Sequence, residues 1–543
     1  MDPIPILLSA FILSTAALAL FIWSLRRGLF DREGAGADVI FAPHEIGQVE
    51  DPAAVPREQA VLQEVVDRAA GPHDTLDAAA LAERATADRS TATVTFVFFS
   101  CAVVWLLVAS AAGLVASIKL HAPDWLGAYE WLTFGRIRTL HLNAIGYGWA
   151  PMAGFGIALW LLPRLLKTPL VGRRYALLGA MLWNSGLIAG LGAIAVGITD
   201  GLEWLEMPRQ IAILLVVGGG FIGLPMVFTL RQRKVHHLYV SVWYMAAAVF
   251  WAPVLFFVAS IPGLHFGVEQ ATMNWWFGHN VIGLIFTPLA VASIYYFLPK
   301  VIGRPVQSYN LSLLGFWTLA FFYGQVGGHH LIGGPVPGWM VTLSIVQSIM
   351  MIIPVAAFAV NQHLTLRGYY RTLAYSPTLR FVVLGGIMYV LSSFQGSLEA
   401  LRSVNTVTHF THFTVAHAHF GLYAFVTMVF FGGMYFIMPR VMQREWPYPR
   451  LITVHFWLVV IGMAIYIIAL SIGGWLQGLA MLDAKQPFMD SVLLTLPYLK
   501  ARSLGGALMT LGHLVFATHF AVMVLTLGPV RDRPAVFQAA KEY

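Results

Sequence analysis

Runs of about twenty apolar residues, each long enough to cross a hydrocarbon core about 30 Å thick, recur from one end of the chain to the other. The first occupies 4–24. A polar, Ala-rich and acidic stretch follows to about residue 90, with Asp and Glu scattered among Pro and Gly. It reads as a solvated linker with some helix around 56–88. Twelve further runs predict membrane helices near 93–117, 138–162, 174–198, 209–230, 238–261, 275–298, 310–331, 341–363, 381–401, 414–438, 452–476 and 503–527. No repeat of 20–50 residues is visible among them.

The connections orient these helices. Arg164, Lys167, Arg173 and Arg174 follow the second of the twelve, Arg231, Arg233 and Lys234 the fourth, and Lys300 and Arg304 the sixth. Arg367, Arg371 and Arg380 follow the eighth, Arg440, Arg444 and Arg450 the tenth, and Arg531 and Arg533 the last. The alternate connections are poorer in Lys and Arg and carry Asp200, Glu203, Glu206, Glu269, Asp483 and Asp490. The positive-inside rule therefore puts both ends of the twelve-helix core in the cytoplasm. Arg26 and Arg27 place the linker there too. They close the run at 4–24 without a small-residue cleavage site, so that run reads as a retained anchor.

Composition narrows the class. Hydrophobic residues are 58% of the 543 and charged residues 11%, with a mean hydropathy of +0.72, which marks an integral membrane protein. A single cysteine, Cys101, excludes a disulfide framework, a Cys-x-x-Cys-His haem c site and a thiolate zinc cluster. The formal charge of +7 belongs to basic loops beside a membrane, not to nucleic-acid binding.

Ionisable residues inside membrane helices are costly and mark function. Here they share one depth. His141, His279, His417 and His419 sit near the outer starts of their helices, and His329 and His330 at the outer end of theirs. Residues i and i+2 on an α-helix differ by about 200°, so His417 and His419 serve separate sites on opposite sides of one helix. His141 can pair with one of them to give a six-coordinate, bis-histidine haem. The other of the two would hold a second haem from one side only. His279, His329 and His330 suit a three-imidazole copper site with an open position. A lone intramembrane histidine is more often packing or a proton relay. The joint pattern of type, depth and opposed faces points to a centre that binds and reduces a small diatomic gas.

Four motifs then bear a resemblance. Phe-Gly-Arg-Ile-Arg-Thr-Leu-His (134–141), Trp-Trp-Phe-Gly-His-Asn (275–280), Gly-Gly-His-His-Leu (327–331) and His-Phe-Thr-His-Phe-Thr-Val-Ala-His-Ala-His (409–419) closely resemble the catalytic subunit of haem-copper oxidases, best the C family, or cbb3 type. The resemblance covers about 93–530. It implies an all-α, polytopic twelve-helix bundle, here with one additional N-terminal membrane helix. It further implies that His141 and His419 hold a low-spin haem b, that His417 holds a high-spin, b-type haem, and that His279, His329 and His330 hold the copper called CuB. Arg136 and Arg138 would meet haem propionates. Tyr323, six residues before His329, matches the family's redox-active tyrosine, which is joined to a CuB histidine and completes O–O cleavage. Ser312 lies eleven residues before Tyr323 and returns within about 20° of its direction. With Tyr309, and Tyr295 or Tyr296, it would form a proton path from the cytoplasm.

Two departures stand out. Gln395 replaces the family's usual Glu in a Phe-Glu-Gly triplet, so an amide, which can orient but carries no charge, stands near the proximal histidine. His412 replaces the usual Asp, removing a fixed negative charge from the propionate neighbourhood. Glu203 and Glu206 fall loosely where the family has a calcium site. Residues 21–34 and the following Val-Ile-Phe resemble the small single-helix assembly protein associated with cbb3 oxidases.

The expected organisation is an N-terminal membrane helix with assembly-like character over 1–50, a cytoplasmic linker over 51–90, and the catalytic core over 91–543. The expected activity is reduction of O₂ to water in a bacterial inner membrane, using cytoplasmic protons and coupled to proton translocation. The C-terminus is expected in the cytoplasm. With no haem c motif in the chain, electrons must arrive through haem c-bearing or other subunits, with cytochrome c the expected donor. A nitric oxide reductase of the same superfamily is the alternative; Tyr323 argues against it and Gln395 for it. A histidine-lined metal or proton transporter would instead spread its histidines across both leaflets.

Overall fold

The computed structural model describes residues 33–70, 78–260 and 263–525, with a few isolated positions before them. The helix expected over 4–24 and nearly all of the motif at 21–34 lie outside the described residues. No strand occurs among those described.

Eleven helices among the described residues are long and apolar enough to cross a membrane. In chain order the bundle comprises α1 (Ala78–Lys119), α2 (Phe134–Leu166), α3 (Arg173–Ala195), α4 (Arg209–Arg231), α5 (Val240–Ser260), α6 (Val268–Ile302), α7 (Tyr309–Phe322), α8 (Gly338–Leu366), α9 (Pro377–Glu399), α10 (His412–Met442), α11 (Arg450–Leu482) and α12 (Phe488–Val524). The run expected at 310–331 is not one α-helix. It is α7 followed by a 3₁₀ helix, Tyr323–Leu331, which winds more tightly and carries His329 and His330 past the α-helical register.

The stretch read as a linker also differs. Helix α1 begins at Ala78 rather than near 93, a helix spans Pro56–Ala70, and Asp51, Ala53 and Ala54 are buried against the bundle. Asp51 finds hydroxyls and Asp88 a cation there, so composition alone misread those positions as solvated, while Glu64 and Asp67 are exposed.

Three helices form the centre. Their apolar windows are buried over 94% in α2, 94% in α6 and 78% in α10, against half or less in the other eight spans. These three carry His141, His279, His417 and His419. The first three of those histidines are spaced evenly, 138 residues apart. Each is followed three residues later by a π-helical segment: Ala144–Trp149, Ile282–Phe286 and Phe420–Thr427. Such bulges re-aim side chains and gather at functional sites. At the other end each helix closes on a Pro-cation pair, Pro163-Arg164, Pro299-Lys300 and Pro439-Arg440. One turn before each cation stands an aromatic ring. Trp160, Tyr296 and Phe436 meet edge-on with centroids 6.1–6.4 Å apart. The core is thus one helical unit used three times, with a period too long for a search at 20–50 residues.

Candidate haem and copper centre

Helix α6 and the 3₁₀ helix that follows α7 supply the tightest cluster. The ligand atoms of His279, His329 and His330 all lie within 4.8 Å of one another. Ring centroids are 5.1 Å apart for His279–His329, 5.3 Å for His279–His330 and 4.4 Å for His329–His330. Ser348 Oγ, 3.0 Å from His329 Nδ1, fixes that ring and leaves Nε2 to the cluster. Trp275 stacks on His330 at 4.5 Å. His279 Nδ1 is buried without a hydrogen-bond partner among the described residues. Three imidazoles, one with an orphaned nitrogen, fit a copper ion.

Tyr323 packs against His279 with centroids 5.2 Å apart and its ring lies over Gly283, where any Cβ would overlap it. His417 comes within electrostatic reach of all three cluster histidines. Its ring rests on Gly396 of α9, where a Cβ would come within 2.7 Å. His417 Nδ1 and the neighbouring Gln395 Oε1 are both buried and unpartnered among the described residues.

His419 faces the other way. Its ring is nearly parallel to that of His141, 9° between planes and 6.2 Å between centroids. Each ring is oriented through Nδ1 by a main-chain carbonyl, Ala109 for His141 and Val415 for His419, both at 2.8 Å. Tyr466 Oη approaches His419 Nε2 at 3.2 Å and accepts from Arg502 Nε at 2.9 Å. Two facing imidazoles, each with Nδ1 on a main-chain carbonyl, fit a six-coordinate haem, for which His419 Nε2 would exchange its contact with Tyr466 Oη.

The remaining expected residues divide. Arg136 reaches the Ala195 carbonyl at 3.3 Å, and Arg138 pairs with Glu203 at 2.5 Å. Glu206 is buried and accepts from Asn143 at 3.0 Å, so the two glutamates expected near calcium each hold a different partner. Burial raises the Glu206 carboxyl above its usual range, with the Asn143 bond opposing. Ser312 donates to the Tyr309 carbonyl at 2.5 Å, and Tyr309 Oη to the Leu238 carbonyl. Tyr295 and Tyr296 diverge because adjacent helical residues point about 100° apart. Tyr296 turns into the basal aromatic triad. Tyr295 stacks on Tyr244 at 6.2 Å and meets Phe358, which meets Tyr389. Sequence reading missed Tyr244, Tyr389 and Arg502, since a single Tyr or Arg in an apolar run carries no spacing signal.

A bundle whose innermost helices present a bis-histidine pair and, behind it, a third histidine facing a three-histidine cluster defines a haem-copper respiratory protein. Residues 93–508 match the family described as Cytochrome C and Quinol oxidase polypeptide I, and the chain belongs to that family. It is a haem-copper oxidase subunit I, homologous to the cbb3 type and housed as a multi-pass protein in a bacterial inner membrane. Cbb3-type cytochrome c oxidase subunit CcoN1 of Stutzerimonas stutzeri is 32% identical, covering 76% of this chain and 91% of that one. Cytochrome c oxidase subunit 1 of Rhodobacter capsulatus is 32% identical over 71% of this chain and 76% of its own. A nitric oxide reductase subunit of Stutzerimonas stutzeri is 25% identical, over 70% and 84%. A solved heme-copper terminal oxidase dimer shares the fold, with a TM-score of 0.63 at 17% identity, covering 81% of this chain and 85% of that one.

Proposed function

We propose that this chain reduces O₂ to water, with His141 and His419 holding a low-spin haem b, His417 holding a high-spin b-type haem, and His279, His329 and His330 holding CuB. A haem iron and a copper ion bound at these residues would supply the electrons and the open coordination positions that O₂ reduction needs. The protein's own groups do the rest. His417 and His419, two apart on one helix, hold the two haem sites on opposite faces of α10. Ser348 fixes the tautomer and direction of His329. Tyr323, pressed against His279, holds a proton and a removable electron at its phenol beside the copper ligands. We assign proton delivery to Tyr309, Tyr295, Tyr244 and Tyr389 with Ser312 rather than to Tyr296, because Tyr295 stacks on Tyr244 while Tyr296 turns away into the basal aromatic triad. Arg502, through Tyr466, joins Arg136 and Arg138 as a candidate for the propionate neighbourhood. Haem c-bearing subunits fed by cytochrome c deliver the electrons, the C-terminus is cytoplasmic, and turnover is coupled to proton translocation.

The observation that carries the reading is the division of His417 and His419 between two partners, the three-histidine cluster and His141. Replacing them one at a time tests it. H419A should lose the low-spin haem spectrum and keep CO binding; H417A should do the reverse. Both variants losing the same haem would contradict the assignment. The nitric oxide reductase alternative requires NO turnover with little O₂ consumption in the intact complex.

A further inference from the structure

The basal end of the three central helices is a concentrated positive site. Arg164, Lys300 and Arg440 close α2, α6 and α10, and Arg84 joins them from α1. Arg164 lies over Trp160 at 4.4 Å and Arg440 over Phe436 at 4.3 Å, each on the ring one turn back. Lys300 instead lies over Phe41, from the segment preceding α1, at 4.7 Å.

That segment enters the site. Gly47 N–H donates to the Gly303 carbonyl at 2.6 Å and Glu50 N–H to the Val301 carbonyl at 3.2 Å. Glu50 Oε1 pairs with Arg440 and lies 3.5 Å from Arg164, while Oε2 lies 3.9 Å from Lys300 and 3.8 Å from Arg84. One carboxylate therefore reaches the terminal cation of every central helix. Glu45 and Asp88 share the rest: Glu45 pairs with Arg84 and, at 2.9 Å, with Lys300, and Asp88 with Arg164 at 3.4 Å. Asp51 fastens the next turn, accepting from Ser376 Oγ, from Thr378 Oγ1 at 2.7 Å and from Thr378 N–H at 3.3 Å.

A second observation is independent of charge. Each central helix ends three residues after its cation on a left-handed residue, Lys167, Gly303 or Gln443. Long side chains serve at two of these equivalent positions. At the third, a Cβ would overlap the backbone of Gln48. Glycine stands where the segment docks.

We propose that residues 42–54 are a clamp, and that Glu50 holds the inner ends of α2, α6 and α10 together by binding their three terminal cations. The bundle thus carries a carboxylate-binding site on its basal face, and this segment is its occupant. Without Glu50, like charges buried side by side would drive the three ends apart, and those helices carry His141, His279, His417 and His419.

Hydrogen exchange on the full chain, purified with its native subunits, tests this without reference to the cofactors. Wild type should protect the Gly47 and Glu50 amides. E50Q should exchange across 42–54 roughly tenfold faster or more, since local opening sets the rate. The half-life of bound haem at raised temperature should fall by about tenfold as well. E50Q/R440Q removes the anion with its own cation and leaves Lys300, Arg84 and Arg164 paired to Glu45 and Asp88, so it should recover most of both losses. G303A, with every charge intact, should also open the segment, whereas E64Q, in an exposed pair with Arg68, should behave as wild type. Wild-type exchange rates in E50Q, or a double variant no better than the single, would overturn the clamp. If E50Q does not accumulate, the double variant decides: its accumulation supports the clamp and its failure overturns it.

Discussion

Tyr323 is the side chain on which oxidase and reductase readings part, and its setting is specific: a phenol against the His279 imidazole, seated over a glycine. Y323F should keep both haem spectra and the copper while O₂ consumption falls by about 100-fold or more, the scale of a lost proton-transfer group. Oxygen uptake at wild-type rate in Y323F would remove the tyrosine from the mechanism. Gln395 is the second informative residue. Its Oε1 and His417 Nδ1 are both buried and unpartnered among the described residues, and the His417 ring rests on Gly396, the next residue along α9. Q395E should lower the midpoint potential of the CO-binding haem by roughly tens of millivolts and leave the low-spin haem where it is, because a more basic axial ligand favours the oxidised iron. A redox titration that finds the two potentials unmoved would separate Gln395 from His417. The six histidines were legible in the sequence because residue type, depth and the two-residue offset each constrain them. Tyr244, Tyr389 and Arg502 were not, since what places them is contact with Tyr295, Phe358 and Tyr466 from other helices.

Helices position these groups by where they depart from regular geometry. The π segments three residues after His141, His279 and His417 and the 3₁₀ turn at Tyr323–Leu331 adjust ring directions that a straight helix would fix at 100° steps. Apolar periodicity finds a membrane helix but is silent about such bulges, so spans were legible and their local windings were not. Close approach between helices is the complementary device. Gly283 on α6 lets the Tyr323 ring approach its backbone, and G283A should displace that ring and lower bound copper while the low-spin haem spectrum persists. Metal analysis on the purified variant would show it; full copper occupancy with normal turnover would mean that the ring is not held there. Ser348 tests α8 in the same way. S348A leaves His329 free to turn, and copper affinity should fall by about 10–100-fold, measured by competition with a chelator.

Taken whole, the three similar central helices carry four of the candidate ligand histidines towards one end and meet Glu50 at the other. The sequence reading missed the docking of Glu50 because an acidic residue among Pro and Gly looks solvated until its counter-ions, more than a hundred residues away in α2, α6 and α10, are brought beside it. Burial pushes the Glu50 carboxyl up, but Arg440, Lys300 and Arg164 outweigh it and hold the group below its usual range. A carboxyl lowered on folding contributes stability above its unfolded value, near about 4.3, and loses it as pH falls through the folded value. Asp51 has the opposite sign, because burial raises it against its bonds to Ser376 and Thr378. The stability difference between wild type and E50Q isolates Glu50, and it should shrink as the pH drops below about 4. A difference that persists unchanged in acid would mean that Glu50 is not ionised in the folded protein.

The central claim is that six histidines on four helices hold two haems and one copper. Reduced-minus-oxidised and CO-difference spectra, with iron and copper analysis on the same complex, test it most directly. The account predicts two b-type haems in this chain, one of which binds CO, and one copper. A correctly folded chain holding neither haem nor copper would contradict it.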